Sequence, residues 1–238
     1  MVRSFFDPAL AVESLPFVLM GLRYTVVIAV ASMTAGMLLG LPIALARMSK
    51  RRVLTGPARL YISFMRGTPV LVLLFLFYFG LPSLGIGLSA VAAAISAFGL
   101  NSAAFIAEID RGAILSVPRG QWESARSLGM SEAQILFRVV LPQAARVAVP
   151  SLSNVMLDLI KATSLASVIT VQEVLLNAKI VAGRTFDTFT MYLTAALVYW
   201  AVCSIFSLFQ DRLERRLDVA MAGPGGGGPG RIGLHAAE

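Results

Sequence analysis

The chain is poor in the residues that build covalent, metal or nucleotide chemistry. It has one cysteine, Cys203, and one histidine, His235, in 238 residues. A single cysteine excludes an intrachain disulfide, and Cys203, inside an apolar run, reads as a small core or lipid-facing side chain. His235 lies in a polar tail far from any other soft ligand, so no His/Cys cluster exists for structural zinc or haem. No G-x-x-x-x-G-K-[ST] stretch occurs, and the tail glycines of GPGGGGPGR have no strand before them and no lysine after. Paired carboxylates and Ser/His arrangements are also missing from any one plausible site, which argues against a membrane enzyme.

Charge is scarce: 14% of residues are charged, 57% are hydrophobic, and the mean hydropathy is +0.79. Those values lie far from soluble globular averages and predict an integral membrane protein. A net charge of +7 could point to nucleic acid, but in a membrane protein it more commonly comes from arginine and lysine gathered in loops on the cytoplasmic side. The first residues carry Arg3, Asp7 and Glu13, the first apolar run is of spanning length, and no small-residue cleavage site follows it, so a cleaved signal is not expected.

Apolar runs of about 20 residues, the length that crosses a hydrocarbon core, place spans at 24–46, 88–109, 147–171 and 191–208. A shorter run from Arg66-Gly67-Thr68-Pro69 completes a fifth crossing towards Leu84. Thr68 is expected to cap that helix and Pro69 to open it, with 60–65 approaching as an interfacial segment. Gly36, Gly40 and Ala44 recur every fourth position and predict close helix contact; the serines, alanines and Gly99 of the third span predict burial between helices. Residues 171–190 read as a mixed loop that allows a short helix on the outer surface. This threading puts about 15 basic residues on one side and about four on the other, so the N-terminus is expected outside and the C-terminus in the cytoplasm. The low-complexity tail from Gly223 predicts disorder.

The longest polar island on the basic side is 118–142. Pro118 suits a first helical position, Gly129 a helix end, and Ser131-Glu132-Ala133-Gln134 a capping box that starts a second helix. Leu141-Pro142 predicts a bend or stop. Trp122, Ala125 and Leu128 form an apolar stripe on the first helix, and Ile135, Leu136, Val139 and Val140 one on the second. Such a helix-turn-helix is a surface loop, a DNA reader or a docking element. DNA is excluded because both ends are tied into the bilayer within a few residues, so no nucleic-acid partner is expected.

The loop resembles the EAA loop of ABC-importer permeases. Glu123-Ser124-Ala125, three residues, Gly129, nine residues and Val139-Val140-Leu141-Pro142 follow that spacing, with serine and valine at two positions of the usual pattern. RGTP at 66–69 with its run ending YFGLP, AAFIAEIDRGAILSVPRGQWESARSLG, LPQAARVAVPSLSN and KATSLASVI are similar to the polar amino acid subfamily, which serves histidine, glutamine, arginine and related solutes. The resemblance covers roughly 17–212 and implies an all-α, type I importer permease with five spans. It divides the chain into an extracytoplasmic segment 1–16, a permease domain 17–212 with the loop 118–142, and a cytoplasmic tail 213–238.

That resemblance implies two ABC ATPase subunits, a second permease copy or a related permease, an extracytoplasmic solute-binding protein, a small polar amino acid as cargo, and membrane lipid as solvent. The chain itself would bind no cofactor, ATP and Mg belonging to the ATPase. The first loop helix would be the coupling helix, with Glu123, Ala125, Gly129 and Pro142 at matching positions and Arg119, Gln121, Trp122 and Arg126 as neighbours. On spacing alone, Glu123 could equally be a solvated surface carboxylate.

Asp158 and Lys161 stand three apart inside the fourth span, where a charge is costly by default and a pair can form. The subfamily usually has an acid directly after the lysine; this chain has Ala162 there. The pair either braces the helix against its partner or faces the translocation path, for which Asn154, Thr163 and Ser164 are weaker candidates. The remaining class is an ion-gradient-driven secondary transporter, for which internal repeats and midplane carboxylates would be expected. No clear repeat is visible.

Overall fold

The computed structural model describes residues 6–221, with side chains to 215; the tail from Gly223, His235 and Arg3 lie outside the described residues. Among the described residues the regular elements are all helices, joined by short turns. Helix α1 is Pro8–Met20, capped by Asp7, whose carboxylate accepts from the backbone N–H of Ala9 and Leu10. It meets α2 (Leu22–Met48) at Gly21. Then come α3 (Arg52–Gly67), α4 (Val70–Phe75), a π-helical turn and a 3₁₀ turn to Leu84, and α5 (Ala90–Ser116). The polar loop gives α6 (Arg119–Ser127) and α7 (Glu132–Gln134), followed by a π-helical turn (Ile135–Val140), α8 (Leu141–Ala162), a 3₁₀ segment (Thr163–Ile169), α9 (Val174–Thr185) and α10 (Thr188–Met221). Helix α1 runs across residue 16, and α10 continues past 212.

Among the described residues four helices are long and apolar enough to cross a membrane, and a fifth crossing arises if the bent pair Arg52–Gly67 and Val70–Leu84 counts as one span. The most buried is α5, with 56% of its most apolar stretch inside the fold against 17% for α10. Its small residues explain this. Ala93, Ala94, Ala97, Ala103, Ala104 and Ala107 are wholly buried, so neighbouring backbones approach closely. Helix α2 supplies the complementary face: a Cβ on Gly36 would lie 2.5 Å from Ser102 Oγ, and one on Gly40 2.5 Å from Ile106 Cγ2. The small-residue stripe expected at Gly36, Gly40 and Ala44 is therefore the α2–α5 seam.

The second span differs from its sequence reading. Thr68 makes no side-chain cap; it ends α3, and Pro69, in extended conformation (ψ 131°), precedes α4. The chain turns by 102° there. A proline disfavours the helical conformation of the residue before it, and Thr68 takes ψ 129° accordingly. Tyr61 donates its hydroxyl to Leu100 O (2.7 Å) and Asn101 its amide to Met65 O (2.6 Å), which ties α3 to the middle of α5.

Residues 171–190 contain the short helix expected there, α9, and it is also packed between α1 and α10 through buried Val174, Ala178 and Ala182, with Val18, Met191 and Ala195. Glu173 is wholly buried at its start. Its carboxylate accepts from Leu175 N (2.8 Å) and Leu176 N (2.7 Å) and from the Tyr199 hydroxyl. A carboxylate at a helix N-terminus satisfies orphan N–H groups and the dipole together, which makes its burial tolerable. Gly21 is required opposite, since a Cβ there would fall 2.4 Å from the Glu173 carbonyl carbon.

Candidate functional site

The 118–142 loop sits at the end of the bundle where α2 and α5 finish. Pro118 is the residue before α6, not its first turn, with ψ 137°. The end of α6 explains the spacing of the motif. Met130 N donates to Ala125 O (3.2 Å) and Gly129 N to Arg126 O (2.9 Å), the two bonds of a Schellman closure. That closure needs a left-handed residue, and Gly129 supplies it at φ +75°. Ala125 is buried beneath the closure and leaves space for Ile135, Val140, Ile114 and Val117 to pack around the loop base. Leu128 does not join the stripe with Trp122 and Ala125. It is 81% exposed, because the backbone has already left the helix there.

Ser131 and Gln134 form the expected capping box, each side chain bonded to the other's backbone N–H. The second helix neither stops nor breaks at Pro142. A proline removes one N–H and collides with the carbonyl four residues back; the π-helical turn at Ile135–Val140 widens the coil ahead of it, and the chain runs on as one helix from Glu132 to Ile169. Gln143, beside Pro142, donates to Gln121 Oε1 (3.2 Å) and to Val139 O (2.9 Å), linking α6 to the root of α8.

The outward side of α6 is open. Arg119, Gln121, Glu123 and Arg126 are exposed and Trp122 is half-buried. A cavity of about 360 Å³ is lined by Arg119, Trp122, Glu123 and Arg126 together with Met48, Ile114 and Leu115. Arg126 forks onto Glu132 (Nε–Oε1 2.8 Å), and that hydrogen bond, with the Glu132 charge, raises its guanidinium above the ordinary arginine value. Glu123 makes no ion pair among the described residues; only its backbone carbonyl is used, by Ser127 Oγ. The loop thus presents a carboxylate, two arginines and a tryptophan edge on a rigid two-helix frame.

The candidates in the fourth span separate into two sets. Asn154, Asp158 and Lys161 are exposed and fall with Ser151 on one face of α8, at spacings of three and four. Asp158 and Lys161 are paired at 2.8 Å, with 75% and 59% of their side chains uncovered by the rest of the chain. Thr163 is turned inward and donates to Ile160 O, and Ser164 donates to Lys161 O. Thr163 is therefore off the open stripe, while Ser164, three residues after Lys161, is half-buried.

Three polar connections join residues far apart in the chain. Glu108 joins Arg47 (2.9 Å) and Arg111 (3.1 Å), pinning α2 to α5 just ahead of the loop. Glu173 meets Tyr199, and Lys179 donates to Ser167 Oγ (2.9 Å), joining α9 to the 3₁₀ segment. The capping role of Glu173 could be read from the apolar run that follows it; its meeting with Tyr199 depends on how α9 and α10 pack. Among the described residues no group of three or more His, Cys, Asp or Glu side chains converges as metal ligands would.

Residues 32–219 match the family described as binding-protein-dependent transport system inner membrane component. The chain is 57% identical over 211 residues to a probable amino-acid ABC transporter permease protein, YckA, of Bacillus subtilis (strain 168), covering 89% of this chain and 93% of that protein. It is 46% identical over 199 residues to the L-cystine transport system permease protein TcyB of the same organism, covering 83% and 85%. Its fold is similar to a crystal structure of an amino acid ABC transporter with histidines, at a TM-score of 0.83 and 36% identity, covering 91% of this chain and all of that one. On a match through most of its length, the chain belongs to the binding-protein-dependent transport system inner membrane components, the permease subunits of ABC importers.

Proposed function

We propose that this permease carries a polar amino acid or a closely related small solute, and that α6 is the helix through which a separate ATPase drives it. The observation that carries the reading is the α6 frame, with Glu123, Arg119, Arg126 and the Trp122 edge open to a partner over a closure that needs Ala125 and Gly129. The relatives named for amino-acid transport support the cargo class. The partners are two ATPase subunits with their ATP and Mg, a second permease copy or a related permease, and a solute-binding protein on the opposite face. The basic end is cytoplasmic, which puts the N-terminus outside and the C-terminus inside.

Within the span, the Asn154–Asp158–Lys161 stripe faces the path, and the charge pair meets the ammonium and carboxylate of a zwitterion. An exposed ion pair at span depth is costly against lipid, so a polar passage is its favourable environment. Thr163 and Ser164 shape the backbone beside it.

The test is uptake by proteoliposomes holding the permease, its ATPase and its binding protein. Accumulation should require internal ATP and persist when ionophores collapse ion gradients. Uptake that survives ATP depletion and stops with the ionophore would replace this reading with a secondary transporter.

A further inference from the structure

Helix α3 carries a surface that the transport reading leaves unused. Arg52, Arg59 and Arg66 are spaced seven apart, two helical turns each, so they drift by only about 20° per step and form one row along the helix, roughly 10 Å from one to the next. All three are exposed. Among the described residues none of them is in an ion pair; Arg66 stacks over the Phe105 ring at 5.3 Å, which leaves its N–H edges free. Beside this row runs a second one of large apolar side chains, Val53 (83% exposed), Leu60 (73%) and Phe64 (53%). The third flank, with buried Ala58 and Ile62, is the one packed into the fold.

A helix with one flank on protein, one basic and one apolar belongs at the boundary between headgroups and acyl chains. The helix starts where α2 ends, with Thr55 Oγ1 donating to Ser49 O (2.7 Å), at the same end of the bundle as the 118–142 loop. We propose that this outer flank of α3 binds anionic phospholipid, with headgroup phosphates on Arg52 and Arg59 towards the α2 end and acyl chains along Val53, Leu60 and Phe64 as the helix runs towards the middle of α5. Charge complementarity selects the occupant: the Arg52 and Arg59 guanidiniums, without carboxylate partners, attract a phosphate-bearing surface and gain little from a zwitterionic one.

The full-length chain, purified in mild detergent, is offered equimolar phosphatidylglycerol and phosphatidylcholine with matched acyl chains, and retained lipid is counted by native mass spectrometry at rising salt. The wild type should enrich phosphatidylglycerol, and the preference should fall as salt rises. Arg52→Gln with Arg59→Gln should lower the enrichment by roughly fivefold per arginine, while Arg52→Lys with Arg59→Lys retains most of it. Arg212→Gln with Arg215→Gln, the same change in net charge elsewhere, should leave it in place. A wild type without preference, or an equal loss in the Arg212/Arg215 pair, overturns the proposal. So does an unchanged lipid ratio with weakened subunit association in the Arg52/Arg59 variant, which would give this face to a protein partner.

Discussion

The α6 loop and the open stripe of α8 are both polar surfaces that the chain leaves uncovered, yet they are built in opposite ways. The loop holds its exposed side chains on a frame closed by backbone bonds, a left-handed glycine and a capping box, and it projects from the end of the bundle. The stripe has no frame of its own beyond α8, and its one strong contact, Asp158 to Lys161, lies within the stripe. On the proposed roles, a surface that transmits force must be rigid by itself, and a surface that meets cargo can take its rigidity from the span that carries it. The contrast predicts that changes in the loop uncouple transport from ATP hydrolysis, whereas changes in the stripe alter transport with the ATPase still engaged.

The largest expected effect is at Gly129. Gly129→Val places a β-branched residue at φ +75°, opens the Schellman closure and should abolish ATP-dependent uptake while the protein still inserts in the membrane; flotation and uptake assays on the same vesicles check both halves. Next come Asp158→Asn and Lys161→Met, each of which should lower uptake about tenfold or more by leaving its partner unpaired at span depth. The double variant should remain impaired. Its recovery would turn the stripe into a structural brace and remove one side of the contrast.

Smaller effects sharpen the frame around both surfaces. Gly40→Val pushes a side chain into Ile106 and should destabilise the α2–α5 seam by about 1–3 kcal/mol, read as a lower unfolding midpoint in detergent. Smallest of all, Glu132→Gln removes an exposed ion pair with Arg126 and should leave that midpoint in place, since solvated pairs contribute little.

The loop was legible because its determinants are local. The capping residues Ser131 and Gln134, the left-handed Gly129 and the small Ala125 lie within ten residues of one another, and each has a distinct backbone consequence. The α2–α5 seam was legible for a related reason, since Gly36 and Gly40 can be spaced only for close approach. The pairing of Asp158 with Lys161 also follows from helical spacing. Two features depended on neighbours distant in the chain. The position of α9 is set by Val18 and Met191 as much as by its own residues, and the burial of Glu173 requires Tyr199 on α10 and Gly21 between α1 and α2. Leu128 follows helical spacing but falls on the residue where α6 ends, and Pro142 is carried through by a π-helical turn with no distinctive residue pattern.

The most direct measurement of the central claim compares Glu123→Lys with wild type in proteoliposomes that hold the whole importer, recording ATP hydrolysis and solute uptake together. The coupling role predicts that charge reversal on α6 abolishes uptake and either releases the ATPase or leaves it hydrolysing without transport, with permease insertion unchanged. Normal uptake per ATP hydrolysed in that variant would contradict it.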